Sequence, residues 1–80
     1  MNLASLVVHV RPEQSDSIAA RLAELPGVEI HATTADGRLV VTVDHDDSQV
    51  AADTLTAIHE TRGVISAAIT FQYGDDESAI

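Results

Sequence analysis

Cysteine is absent from this chain, and so are lysine and tryptophan. Without thiols there is no disulfide framework, no thiolate metal site and no redox thiol. One Phe and one Tyr are too few to build the stacking platforms on which single-stranded nucleic acids bind. Cations are scarce as well: four Arg stand against thirteen Asp and Glu, a formal net charge of −9. Such a surface repels phosphate backbones, so nucleic-acid binding is disfavoured; the charge either suits a basic partner or simply keeps a small protein soluble. No apolar run approaches the ~20 residues of a membrane span. The opening MNLASLVVHV has no basic residue ahead of its short apolar run, and Pro12 follows. That pattern reads as a strand and not as a signal peptide, which leads us to expect a cytoplasmic protein without membrane insertion. Eighty residues suffice for one domain with a modest core and leave little room for a buried catalytic cleft.

What is present is a repeated unit. LVVHV at residues 6–10 returns as LVVTV at residues 39–43, and each copy is followed by a helix-like segment and then a Gly-Val pair, Gly27-Val28 and Gly63-Val64. Residues 4–11 alternate, with Leu6, Val8 and Val10 opposite Ser5, Val7, His9 and Arg11, the period of a strand covered on one face. Pro12 stops that strand. Glu13 and Asp16 suit a helix N-terminus, and Ile18, Leu22 and Leu25, flanked by Ala19 and Ala23, predict a helix over residues 13–25 that Pro26-Gly27 ends. Alternation resumes over residues 28–34, with Val28, Ile30 and Ala32 opposite Glu29, His31 and Thr33. Ala35-Asp36-Gly37 then turns the chain into a third strand, residues 38–44. His45-Asp46-Asp47-Ser48 offers several caps for a second helix carried by Val50 or Ala51, Leu55 and Ile58 and ending near Arg62-Gly63. The last strand covers residues 64–73, with Ile65, Ala67, Ile69, Phe71 and Tyr73 in phase. Residues 74–80, GDDESAI, read as an acidic, disordered tail to a single domain over residues 1–73.

The order β-α-β-β-α-β is that of a ferredoxin-like α+β plait: a four-stranded antiparallel sheet, strand order 4-1-3-2, with two helices on one face. The other face has no helix to cover it. It is expected to carry Ser5, Val7, His9 and Arg11, with Arg38, Val40 and Thr42, then Glu29, His31 and Thr33, and finally Ser66, Ala68, Thr70 and Gln72. Val7, Val40 and Ala68 give it an apolar centre. Such a face is either an ordinary solvated sheet surface or a shallow dock for a partner segment.

Other chemistries find no purchase. His9, His31, His45 and His59 lie in different elements without a ligand spacing, and two strand spacings of ~4.8 Å separate the strands of His9 and His31. Gly37, Gly63 and Gly74 stand singly, with no phosphate loop, and no nucleophile has a base at recognisable spacing. Asp44, Asp46 and Asp47 crowd together, but a helix N-terminus attracts carboxylates for its dipole alone. No enzyme, metal or cofactor is expected.

Taken in order, Ser5-Leu6-Val7-Val8, Leu25-Pro26-Gly27-Val28-Glu29, Gly37-Arg38-Leu39-Val40-Val41 and Gly63-Val64 with Ala67 resemble the NapD family. Members of that family are small cytoplasmic chaperones of the catalytic subunit of periplasmic nitrate reductase. The resemblance spans nearly the whole chain except the tail. It implies binding of the twin-arginine signal peptide of the reductase precursor, which is held back from export until cofactor loading and folding are complete. On this reading the open face binds the peptide through Ser5, Val7, His9, Val40, Thr42, Ala68 and Thr70, Glu29, Asp44 and Asp46 meet the two arginines, and the chaperone works as a monomer. Where the family often has Tyr-His late in strand four, this chain has Phe71-Gln72. A second possibility from another class is a regulatory plait that dimerises edge to edge around a small-molecule ligand.

Overall fold

The computed structural model describes residues 1–74. β1 (Asn2–Val10) leads through a 3-10 turn (Pro12–Gln14) into α1 (Ser15–Ala23), and β2 (Val28–Thr33) and β3 (Arg38–His45) follow, then α2 (Ser48–Glu60) and β4 (Val64–Gly74). All neighbouring strands are antiparallel in the order β2-β3-β1-β4, the 4-1-3-2 order expected. Gly74 closes the last strand and does not open a tail. The rest of the acidic segment, residues 75–80, lies outside the described residues.

Local chemistry sets the boundaries. α1 is shorter than residues 13–25 because both of its ends tighten. Pro12 opens a 3-10 turn after extended Arg11, and at the far end the amides of Glu24 and Leu25 donate to Arg21 and Leu22, three residues back. Among the candidate caps of α2 the chain uses Asp47, whose carboxylate accepts the amides of Gln49 at 2.8 Å and Val50 at 3.1 Å. At the β2–β3 hairpin Gly37 has φ 91° and accepts the Val10 amide at 2.8 Å. A Cβ there would lie 2.1 Å from the Val10 carbonyl oxygen, so only glycine lets the hairpin tip dock on the end of β1.

The two quoted repeats form the centre of the sheet. Leu6, Val8 and Val10 of β1 and Leu39, Val41 and Val43 of β3 are buried under the helices, together with Ile18, Leu22 and Ile58. Each side chain fully removed from water contributes ~1.5–3 kcal/mol. α1 lies over β2 and β3, and α2 over β3, β4 and β1. The buried Thr54 hydroxyl donates to the Pro26 carbonyl at 3.2 Å, tying α2 to the link between α1 and β2.

Regular alternation fails at three points. β4 has eleven residues and its neighbour β1 has nine, and the difference is taken up by two β-bulges. Leu6 pairs with Ile69 and Ser5 with Phe71, leaving Thr70 unmatched; His9 pairs with Ser66 and Val10 with Val64, leaving Ile65 unmatched. Past Thr70 the faces exchange. Phe71 and Tyr73 therefore join Ser5 and Leu3 on the open face, while Gln72 moves opposite Ala4 on the helix side. This corrects the expected phase, in which Phe71 and Tyr73 followed Ala67 and Ile69 and Gln72 faced away from the helices. In β2 the same happens at His31: Ile30 pairs with Val41 and Ala32 with Val40. Ala32 thus lies on the open face, and Thr33, opposite Leu39, on the helix side, the reverse of their expected positions.

Candidate functional site

Strand register divides the open face into rows of side chains, one from each strand, because directly paired residues share a face. The first row runs Asp44, Leu3, Tyr73 and the second Glu29, Thr42, Ser5, Phe71. Ala32, Val40, Val7 and Ala68 form the third, and Arg38, His9 and Ser66 the fourth. The sequence-expected residues Ser5, Val7, His9, Val40, Thr42 and Ala68 are accordingly gathered on one surface, with Glu29 and Asp44 at its β2–β3 side. Thr70 stands apart from the rows as the bulge residue, its hydroxyl donating to the Ser5 carbonyl at 3.1 Å. Asp46 sits beyond β3, where its carbonyl accepts from Asn2 Nδ2 at 3.1 Å.

The third row is the apolar centre, half-buried at Val7 and Val40. Polar groups around it are partly engaged with one another. His31 Nε2 and Thr42 Oγ1 are 2.6 Å apart, with Glu29 3.7 Å from the same ring nitrogen. Ser66 and His9 Nδ1 lie 3.2 Å apart. In the fourth row Arg38 is engaged by Asp36 at 3.0 Å. The Asp36 carboxyl is held below its usual range, chiefly because the Thr34 hydroxyl donates to it and secondly because the Arg38 guanidinium does. By contrast, no side-chain hydrogen bond or ion pair among the described residues engages the exposed carboxylates of Asp44 and Asp46.

Two residues that reasoning from alternation assigned elsewhere dominate this surface: Phe71 and Tyr73 are about half exposed, at 53% and 51%. No signal in the residues of β4 itself locates them. The bulges of β4 appear only in its pairing with β1, where everything past Thr70 changes face. An apolar cleft of about 180 Å³ opens at the end of the helix side, lined by Ala4, Val43, Ala51, Ala52, Leu55 and Gln72 among others. Among the described residues no three His, Cys, Asp or Glu side chains gather to hold a metal ion, and no helix is long and apolar enough to cross a membrane.

Fold and surface together define a ferredoxin-like plait whose one bare sheet face is apolar at its centre, with Phe71 and Tyr73 on β4 and Glu29 and Asp44 on the β2–β3 side. Residues 1–76 match the family model of NapD protein, and the chain belongs to the NapD family. It is similar to the chaperone NapD of Escherichia coli K12, with 26% identity over 76 residues that cover 94% of this chain and 87% of that one, and equally to that of Shigella flexneri. The solution structure of the E. coli Tat proofreading chaperone protein NapD superposes with a TM-score of 0.80 at 27% identity, over 95% of this chain and 80% of that one. A transcriptional regulatory protein of the AsnC family from Pyrococcus furiosus shares the fold alone, with a TM-score of 0.66 at 19% identity over 96% of this chain and 52% of that one.

Proposed function

We propose that this chain is a cytoplasmic maturation chaperone. It binds the twin-arginine signal peptide of the periplasmic nitrate reductase precursor and delays export until cofactor loading and folding are complete. The observation that carries the reading is the uncovered sheet face, whose Val7, Val40 and Ala68 centre and exposed Phe71 and Tyr73 belong to a chain of net charge −9. A twin-arginine peptide is basic at one end and apolar along the rest. Charge steers such a peptide to this protein, and desolvation of the apolar face holds it there.

Titration of the isotope-labelled chain with a synthetic twin-arginine signal peptide tests this. Amide shifts should cluster on Ser5, Val7, Val40, Thr42 and Ala68. Val7→Asp or Val40→Asp should weaken binding by about tenfold or more, because each places a carboxylate in a contact that must lose its water. Shifts concentrated on exposed helix residues such as Arg21 and Asp53 would place the site elsewhere.

A further inference from the structure

Carboxylates and aromatic rings on the open face are separated across the strands and not along them. The row Glu29, Thr42, Ser5, Phe71 begins at a carboxylate and ends at an aromatic ring, and the adjacent row Asp44, Leu3, Tyr73 does the same. The fourth row, at the opposite end of the strands, holds Arg38 and His9 and no carboxylate. β4 itself, VISAAITFQYG, carries neither an acidic nor a basic residue. A ligand with one basic end and one apolar end thus meets different chemistry at the two edges of the sheet.

We infer that the bound peptide crosses the strands with a fixed polarity, its arginines over Glu29 and Asp44 at the β2–β3 edge and its apolar segment over Leu3, Phe71 and Tyr73 toward β4. This rests on the peptide-binding reading above and adds an orientation to it. The span suits a helical ligand: four strands cover three spacings of ~4.8 Å, ~14 Å in all, which a helix rising 1.5 Å per residue crosses in ~10 residues. The Thr70 bulge makes this polarity possible, since regular alternation would turn both rings toward the helices. The competing acidic group is Asp75, Asp76 and Glu77, which follow β4 in the sequence. Arginines drawn to that group would reverse the peptide.

The experiment uses the isotope-labelled full chain and a synthetic peptide, two arginines followed by an apolar run, with a nitroxide on a single cysteine at one end or the other. The protein has no cysteine, so the label stays on the peptide. A label at the arginine end should broaden the amides of Glu29, Thr42 and Asp44, and a label at the apolar end those of Phe71 and Tyr73. The opposite pattern, or equal broadening of both edges by both labels, overturns the polarity while leaving the peptide-binding reading intact. No broadening at either position, with no amide shift, removes that reading too. A second arm combines Glu29→Gln with Asp44→Asn, both at exposed positions. It should weaken the arginine peptide about tenfold or more and leave a peptide with glutamine in place of both arginines unchanged. Equal loss for both peptides overturns the assignment.

Discussion

Asp47 shows how much one side chain does in a domain with so small a core. Its carboxylate satisfies two amides at the start of α2 that no helical carbonyl can reach, those of Gln49 and Val50. Asp47→Ala should cost about 1 kcal/mol, read in a thermal melt as a fall of ~4–8 °C in Tm. Asp36 tests the acid side of stability. Its carboxyl is lowered from the ordinary value of 3.8 by the Thr34 hydroxyl and then by Arg38. A group whose folded pKa lies below its unfolded one binds fewer protons when folded, so stability rises with pH through the interval between the two. The Asp36 contribution is therefore complete above pH 3.8 and is lost as the pH falls through the depressed folded value. Asp36→Asn should remove that part of the acid slope from urea midpoints measured as a function of pH and leave midpoints at neutral pH nearly parallel. A slope identical in the two proteins would mean that the turn keeps its hydrogen bonds with the acid protonated.

At the scale of the element, β4 decides what the open face presents. Thr70 has no partner residue opposite it on β1, so deleting Thr70 should regularise the strand without moving Phe71 from Ser5. The cost is the hydroxyl bond to the Ser5 carbonyl, about 1 kcal/mol. A cross-strand nuclear Overhauser contact between Phe71 and Ser5 that survives the deletion would verify the bulge, and its loss would restore the unbroken alternation. Most of the fold was legible for reasons that are local. Apolar residues at every second position marked β1 and β3, Ile18, Leu22 and Ile58 marked the helix faces, and Asp36-Gly37 marked the hairpin. The centre of the candidate site was legible too, because Val7 and Val40 alternate with residues that face the core. Its aromatic edge was not. An inserted residue leaves no trace in a strand's own period, and Ile65, Ala67, Ile69, Phe71 and Tyr73 keep perfect phase in the sequence while the neighbouring strand forces them onto different faces.

Over the whole molecule, the proposed encounter with a basic peptide makes a prediction about charge. A chain of net charge −9 meeting a basic peptide should associate more slowly as the Debye length contracts from ~10 Å to ~3 Å between 0.1 and 1 M salt, while dissociation changes less. Stopped-flow association rates that stay flat across that range would assign the charge to solubility alone. The position of β1 has a further consequence in time. β1 occupies the inside of the sheet, yet its partner β4 comes last, and Asn2 pairs with Gly74. During synthesis the first strand emerges long before the last, and hydrophobic residues of β1 wait on one side without a neighbour. Loop closure on this scale has to precede the contacts that reward it, which makes folding slower than in helical bundles of the same length. The aromatic edge and both carboxylate-to-aromatic rows exist only after Val64–Gly74 has left the ribosome and closed on β1, so the face proposed to bind the peptide is incomplete until that closure.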